Sequence, residues 1–433
     1  MTDALPFILF ALVFALILVG FPVAFTLGGL AVVFGLLVFD ADTFYVLALR
    51  IWGTMTNYVL LAVPLFVYMG IMLEKSGLAE RLLETMALLF GRFRGGLALS
   101  VVVVGALLAA STGIVGATVV TMGLISLPVM LKRGYPPTLA TGTIASAGTL
   151  GQIIPPSVVL VLLGDVLGVP VGELFAAALL PGALLVGCYV AYILVLAQLR
   201  PHLLPAMPPD EVAAFRRGNT LRRVVGAFVL PFLLIVAVLG SIFAGVASPT
   251  EAAAVGALGA TALTAAQGRL KLSVLREVTR ETTHLTCMVF LILVGATAFT
   301  FVFRYLGGDR VLTALIERAD LSAGTFLLLV MVAVFVAGFF IDFIEIIFIF
   351  VPVVAPLFQR LGVDLVWLGV LLALNLQTSF LSPPFGFALF YLKGVAPPGV
   401  TTAHLYRGIV PFLLIQLLFL LLVAFFPGLL GVG

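Results

Sequence analysis

The sequence predicts an all-α polytopic membrane protein made of two related halves, and three observations point that way. Hydrophobic residues fill 63% of the 433 positions and charged residues 9%, with a mean hydropathy of +1.30. A bilayer-spanning helix needs ~20 mostly apolar residues, and such stretches follow one another almost from end to end. The third observation is a recurrence. LPVMLKRG (Leu127–Gly134) falls on APLFQRLG (Ala355–Gly362) at a shift of 228, and at the same shift Pro155-Pro156 falls on Pro383-Pro384. Gly77 and Arg81 fall on Gly307 and Arg310 at shifts of 230 and 229. Short segments of alternating hydrophobicity, the mark of a transmembrane β-barrel, are lacking.

Pro6–Val19 and Pro22–Phe39 form the first two spans, parted by Gly20-Phe21-Pro22. The first has no basic flank and no small-residue cleavage site, so it is expected to be retained as a helix. A third span, Val59–Leu73, leads into Leu73–Gly96, whose mixed charge and helical periodicity predict an arm lying in the interface. Leu97–Leu131 is apolar but interrupted at Ser111-Thr112-Gly113, the pattern of a re-entrant hairpin. Pro136–Asp165 is a span broken at Gly148–Ser157, and Leu174–Leu199 closes the first half, residues 1–200. Pro201–Arg223 is the one long polar segment and reads as a linker, 201–223. The second half, 224–433, repeats the plan. Val224–Phe243 and Thr250–Ala266 are spans, Gly268–Thr283 is basic and amphipathic, and Leu285–Phe303 is a span. An arm (Arg304–Asp320), a second hairpin (Ser322–Leu357), a broken span (Leu365–Leu392) and a closing span (Ile409–Phe426) follow. The plan amounts to about eleven transmembrane helices and two re-entrant hairpins.

Charge sets the orientation. With the first arm and the linker in the cytoplasm, all of the 22 lysines and arginines fall inside except Arg50, Arg304, Arg310, Arg318 and Arg360. So strong a bias fits the positive-inside rule. It places the two arms on opposite faces, which makes the repeats inverted, and it puts both termini in the periplasm.

In hydrocarbon every backbone polar group needs a partner, so broken helices survive only against protein or a water-filled cavity. A break exposes carbonyls that suit a desolvated cation and amides that suit a carboxylate. Four breaks are expected: Ser111–Gly113, Gly148–Ser157, Gly338–Glu345 and Asn375–Gly386. Ser111, Thr112, Thr149, Gln152, Ser157, Asn375, Gln377, Thr378, Ser379 and Ser382 cluster around them, small polar side chains that ligate sodium or hold carboxylates without burying a charge. The competing reading is that Pro and Gly merely kink helices while hydroxyls bond back to their own backbone. Matched breaks in both halves point to a secondary transporter and its substrate site.

Asp342 and Glu345 sit at the second hairpin's tip, in GFFIDFIEIIFIF. Carboxylates in a membrane are expensive. Cation ligation and helix capping, with the carboxylate tied to neighbouring backbone amides, are the readings that remain open. Asp165 and Glu173 lie near a span end and read as solvated, whereas Glu251, in SPTE, reads as half of a capping box around Ser248 or Thr250. His202, His284 and His404 have no ligand spacing, and Cys188 and Cys287 are isolated. Phosphate-cradling loops, HExxH and GxSxG are absent, the basic residues are scattered, and neither catalytic residues nor nucleic-acid binding is assigned. A purely structural membrane role is disfavoured by polar breaks that recur in both halves.

Four motifs carry a family resemblance: GVASPTEAAAVGALGA (Gly245–Ala260), GTLGQIIPPS, VPVGELFAAALLPG (Val169–Gly182) and NLQTSFLSPPFGFALFYLKGVAP (Asn375–Pro397). They resemble the large permease subunit of TRAP (tripartite ATP-independent periplasmic) transporters, over essentially the whole chain. The resemblance implies sodium-driven elevator import of an organic acid across the prokaryotic inner membrane, with Na+ as coupling ion and no cofactor. It implies two partners, a small four-helix membrane subunit and a periplasmic substrate-binding protein. It implies that the hairpins and broken spans slide as one body against a scaffold of the remaining spans. The family's sodium sites carry over to Ser111, Thr112, Gly113, Gly148, Thr149, Gly338, Asp342, Asn375, Thr378 and Ser379, and Gln152, Ser157, Glu345, Gln377 and Ser382 are the candidate substrate contacts. Glu345 departs from the small or apolar residues commoner in the family. LQTSF resembles a subgroup for 2-oxo acids and related monocarboxylates, more than one for sialic acid or C4-dicarboxylates. The alternative is a stand-alone sodium/carboxylate symporter without partner subunits.

Overall fold

The computed structural model describes residues 4–113, 115–217 and 220–430, and every regular element among them is helical. The first half runs α1 (Leu5–Val19), α2 (Val23–Val38), α3 (Ala41–Met55), α4 (Ala62–Lys75) and α5 (Leu78–Leu89). It continues with α6 (Gly96–Thr112), α7 (Val115–Lys132), α8 (Pro137–Thr149), α9 (Val158–Leu167) and α10 (Val171–Leu199). Two short helices, α11 (Pro209–Arg217) and α12 (Thr220–Val224), cross the linker and run through a π-helical stretch, Val225–Val229, into α13 (Leu230–Phe243). The second half continues with α14 (Pro249–Ala266), α15 (Leu272–Tyr305), α16 (Gly308–Arg318), α17 (Ala323–Ala337) and α18 (Phe343–Arg360). It ends with α19 (Leu365–Leu381), α20 (Phe387–Val395) and α21 (Thr402–Phe425).

Among the described residues, seven helices or helix runs are long and apolar enough to cross a membrane, and shorter apolar helices such as α1, α2, α9 and α19 accompany them. The expected count of about eleven differs in part because α1 and α2 are only 15 and 16 residues long and each broken span is two short helices, α8 with α9 and α19 with α20. Apolar side chains also face outward. Leu36, Leu37, Leu258, Leu418 and Phe425 are all exposed, as a surface covered by lipid tails requires.

Two elements differ from expectation. Ala41–Met55 is a helix, α3, with Asp40 capping its start by accepting from the Thr43 amide at 3.0 Å. Asp42 and Arg50 break its apolar run, so a search for spans passes over it. The basic stretch and the span at 272–305 are one continuous helix of 34 residues, about 50 Å long.

The helices pack as two groups. In one, α4 lies against α14 and α15, α2 against α1 and α15, and α13 against α14. In the other, α6 and α7 pack on α8, and α17 and α18 on α19. This second group is crossed: α7 packs on α20, and α18 packs on α9, so each hairpin touches both broken spans. The closing spans α10 and α21, expected in the scaffold, pack on the hairpin group instead. Glycines make the α8–α21 contact possible. A Cβ on Gly142 would lie 2.1 Å from the Gly408 carbonyl oxygen, and one on Gly408 would lie 2.0 Å from that of Thr138. Tyr189 Oη on α10 donates to Gln416 on α21 at 3.1 Å, and Trp367 Nε1 on α19 donates to the Val423 carbonyl at 3.1 Å.

Polar contacts gather at two levels separated by the length of α4. At its C-terminal end Lys75 pairs with Glu277 (2.7 Å) and Glu281 (2.9 Å), and Arg81 donates to Gln267 at 3.2 Å. At the other end Thr250 donates to the Tyr58 carbonyl at 2.9 Å, and Arg304 donates to the Pro352 carbonyl at 3.1 Å. The charge count places Lys75 and Arg81 inside and Arg304 outside, and these residues lie at opposite ends of α4. Asp165, read as solvated, is instead half-buried and accepts from Asn57 Nδ2 at 2.5 Å.

Candidate functional site

Buried polarity is concentrated on the two broken spans. Eleven of the twenty buried polar residues among those described lie there: Thr141, Thr143, Ser146, Thr149, Gln152, Ser157, Asn375, Gln377, Thr378, Ser379 and Ser382. A chain that is 63% hydrophobic could have filled these positions with leucine. Polarity held inside a membrane protein marks a pathway or a site.

The first site is where hairpin α6–α7 meets the first broken span. The hairpin turns on Gly113, at φ +61°, a conformation that glycine adopts freely. A Cβ there would come within 3.0 Å of the Val158 amide, at the start of α9. Further contacts close the joint. A Cβ on Gly148 would lie 2.5 Å from Val119 Cγ2, and one on Gly151 would lie 2.4 Å from the Ala109 carbonyl oxygen. The hairpin tip, the end of α8 and the turn at Leu150–Gln152 are therefore brought together, as the sequence predicts. Ser111 and Thr112 end α6, but their side chains lie outside the described residues.

The second site is where hairpin α17–α18 meets the second broken span. A Cβ on Gly338 would lie 2.1 Å from Ser379 Oγ, so the tip rests directly on that hydroxyl. Asn375 Nδ2 donates to the Met331 carbonyl at 2.7 Å, tying α19 to α17. The break itself is narrower than expected. Asn375–Leu381 is helical, and only Ser382–Gly386 is irregular. Asn375, Gln377, Thr378 and Ser379 thus occupy the last turns before the break.

The hydroxyls bond back to their own helices. Thr149 donates to Ser146 at 2.9 Å, Ser157 to Gln152 at 2.9 Å, Thr378 to Leu374 at 2.6 Å, Ser379 to Leu376 at 2.8 Å and Ser382 to Thr378 at 2.8 Å, in each case to the carbonyl. Such donation uses each hydroxyl proton and leaves the oxygen lone pairs, which are the part a cation would use. The two amides behave differently. Gln152 and Gln377 are fully buried, and neither side-chain nitrogen nor oxygen has a hydrogen-bond partner among the described residues. The turn that carries Gln152 packs on α19, which carries Gln377.

Two helix starts complete the arrangement. Ser157 precedes α9 and Gly386 precedes α20, and neither makes a side-chain cap bond. The first amides of these helices have no partner within the helix, and the start of α9 is buried. By contrast α18 is capped. The Phe343 amide donates to Asp342 Oδ1 at 2.8 Å, and the Asp342 amide donates to Glu345 Oε2 at 3.2 Å, completing a capping box. Of the open readings of Asp342 and Glu345, capping is the one with geometry. Glu251 forms the same box with Ser248, as expected.

Sequence reasoning missed the polar contacts between the two helix groups. Thr121 on α7 donates to the Glu74 carboxylate on α4, and Arg360 donates to Thr313 on the second arm at 3.1 Å. Arg50, Asn57, Asp165, Thr297 and Arg304 line a cavity of about 490 Å³ between the groups. The signal lay in the charges that interrupt α3 and the end of α15.

Comparison with known proteins follows the same lines. Residues 10–429 match the family model described as "Tripartite ATP-independent periplasmic transporter, DctM component". The chain is 33% identical over 401 residues to the C4-dicarboxylate TRAP transporter large permease protein DctM of Pseudomonas aeruginosa, covering 92% of each. It is 30% identical over 413 residues to the sialic acid TRAP transporter large permease protein SiaM of Vibrio cholerae, covering 95% of this chain and 94% of that one. In fold it resembles the crystal structure of the Alcanivorax borkumensis YdaH transporter, with a TM-score of 0.65 at 18% identity over 95% of this chain and 98% of that one. Helix order, matched breaks and these relatives place the chain in the DctM family, the large permease proteins of the tripartite ATP-independent periplasmic transporters.

Proposed function

We propose that this permease imports an organic carboxylate with sodium, accepting it from a periplasmic binding protein and working beside a small membrane subunit. The observation that carries the reading is the pair of buried, unpartnered amides, Gln152 and Gln377. An unsatisfied buried polar group costs about 1–3 kcal/mol, so a chain keeps two such groups where a ligand repays them. Glutamine both donates and accepts, which suits a carboxylate with a neighbouring hydroxyl or oxo group. The uncapped starts of α9 and α20 offer amides to the same anion. Sodium would take carbonyls and hydroxyl lone pairs at the two hairpin joints, among Gly113, Gly148, Thr149, Gly338, Asn375, Thr378 and Ser379, with Ser111, Thr112 and Asp342 at the tips. Ser157 and Ser382 flank the anion.

Energetics favour more than one ion. One Na+ falling through 100 mV supplies ~2.3 kcal/mol, and a tenfold gradient adds ~1.4 kcal/mol. Moving a monoanion inward costs ~2.3 kcal/mol against the same potential, so one ion leaves only ~1.4 kcal/mol and two leave ~5 kcal/mol.

The resemblance of LQTSF favours a 2-oxo acid or related monocarboxylate. Relatives named for C4-dicarboxylate, ectoine and sialic acid stand at similar identity, from 27% to 33%, so overall identity does not choose among substrates. The repeats, residues 1–200 and 224–433, are read as inverted. Exchange of their conformations would then carry the hairpin group between faces, with the termini in the periplasm by the charge count.

Reconstitution tests this. Vesicles holding this chain and its small subunit should take up substrate only with an inward sodium gradient and the loaded binding protein. Saturable uptake of free substrate without that protein would favour the stand-alone symporter. Uptake indifferent to sodium would overturn the coupling. A cysteine pair joining α6 to α4 should stop transport until reduced; unimpeded turnover would refute the sliding motion.

A further inference from the structure

A second polar cavity, of about 700 Å³, lies at the other level of the molecule, away from the broken spans. Its rim carries Arg81 on α5 and Arg222 and Arg223 on α12, against a single carboxylate among the described residues, Glu84. Arg81 is held by Gln267 at the end of α14, and the Arg223 guanidinium carbon stands 5.8 Å from the centre of the Phe215 ring. Beneath the arginines the wall turns apolar, through Val225, Ala227, Leu230 and Leu263. Sequence fixes the depth. Arg222-Arg223 directly precede the apolar run Val224–Phe243, so the cationic rim sits where that span leaves hydrocarbon. Part of the wall is the π-helical stretch Val225–Val229, a local widening that departs from the regular helix on either side.

Three guanidinium groups at headgroup level above an apolar wall match one kind of molecule. We infer that this cavity binds an anionic phospholipid, its phosphate among Arg81, Arg222 and Arg223 and an acyl chain along Leu230 and Leu263. Guanidinium forks bind phosphate oxygens in pairs, and basic pockets between membrane helices on the cytoplasmic side hold anionic headgroups. A bound lipid would tie the first arm to the linker and to α14. That arm packs on α6 of the first hairpin, so the lipid would stiffen the part of the frame beside the hairpin. The site depends on the membrane location of the chain and not on the proposed ion or substrate.

The test uses the full chain with its small subunit, equilibrated in vesicles of equal parts phosphatidylcholine and phosphatidylglycerol, then extracted gently for native mass spectrometry. Wild type should retain phosphatidylglycerol over phosphatidylcholine, and R222Q/R223Q should retain about tenfold less of it. Soluble glycerol phosphate in excess should not displace it. Equal retention by the variant would overturn the proposal, and displacement by glycerol phosphate would make this a free-phosphate site instead. A second arm keeps the arginines intact. L230W fluorescence, above that of Trp52 and Trp367, should be quenched more by brominated phosphatidylglycerol than by brominated phosphatidylcholine. Equal quenching would also overturn the assignment. Loss of uptake in both lipids with selective retention intact would count against the proposed transport function and leave this site standing.

Discussion

At the tip of the first hairpin the chain turns on Gly113 with φ +61°, and at the second it turns through Gly338–Asp342 with Gly338 at φ −66°. The first tip needs glycine for its backbone angle, and the Val158 amide and side chain crowd it as well. The second needs it for space, because Ser379 Oγ occupies the position a Cβ would take. The tips differ again in charge. Ser111-Thr112-Gly113 carries none, whereas Asp342 and Glu345 close the start of α18 as a capping box. Two tips on one plan therefore solve the problem of a broken helix in two ways, one by geometry and one by a carboxylate. Matched position does not guarantee matched chemistry.

The largest effect should come from filling the second tip. Gly338→Ala forces its methyl onto Ser379, so the melting temperature should fall by several degrees and uptake by at least about tenfold. Adding Ser379→Gly should restore most of the melting temperature, less the ~1 kcal/mol that glycine costs in a helix. Gly113→Ala should cost ~1–2 kcal/mol for its left-handed conformation, and trimming Val158 to Ala should not recover it. If both glycines responded alike to trimming their neighbours, the distinction between the two tips would fail.

How far the sequence led can be judged at these same tips. The helix pairs α6–α7 and α17–α18 and the interruptions that part α8 from α9 and α19 from α20 fall near the Gly- and Pro-marked positions, the last of them narrower than expected, because helix breakers and long apolar runs are local signals. DFIE at 342–345 carries the same Asp/Ser-x-x-Glu spacing as SPTE at 248–251, so the second capping box was legible too, though ligation and capping look alike until the amides are placed. The rest was not local. That α21 joins the hairpin group depends on Gly142 meeting Gly408 across 266 positions of sequence, and small residues in a membrane span announce nothing about their partner. The helix α3 was hidden because Asp42 and Arg50 defeat a search for apolar runs, although its 3.6-residue periodicity would have found it.

The next effect separates amides from hydroxyls. Gln152→Leu and Gln377→Leu each remove a buried group with no partner among the described residues, so folding should hold or improve slightly while uptake falls by about tenfold or more. Thr378→Val, by contrast, removes a hydroxyl already bonded to Leu374 and should act mainly on sodium dependence. Full uptake in both glutamine variants, measured in the reconstituted complex, would remove the substrate role from the site.

A smaller change tests the carboxylate at the second tip. Asparagine caps helices about as well as aspartate, so Asp342→Asn keeps the cap and deletes the charge, whereas Asp342→Ala deletes both. If the charge serves sodium, Asp342→Asn should raise the sodium concentration for half-maximal uptake about tenfold with an unchanged melting temperature, and Asp342→Ala should add a loss of ~1 kcal/mol in stability. Wild-type sodium dependence in Asp342→Asn would leave the residue as a cap alone.

The smallest effect is expected at Glu345, and it asks whether the second tip's other carboxylate does anything beyond closing the box. Its oxygen accepts from the Asp342 amide, and glutamine can accept in the same way. Glu345→Gln should therefore leave melting temperature unchanged and uptake within about twofold of wild type, while Glu345→Ala should lose ~1 kcal/mol. The charge argument points the same way. A carboxylate beside an anionic substrate repels it, so a direct contact would need the side chain protonated or bridged by a cation. Were Glu345→Gln to lower the KM for substrate several-fold with stability intact, that repulsion would be felt in the native transporter. Glu345 would then tune substrate affinity, and the difference between the hairpins would extend from how a tip is closed to what it recognises.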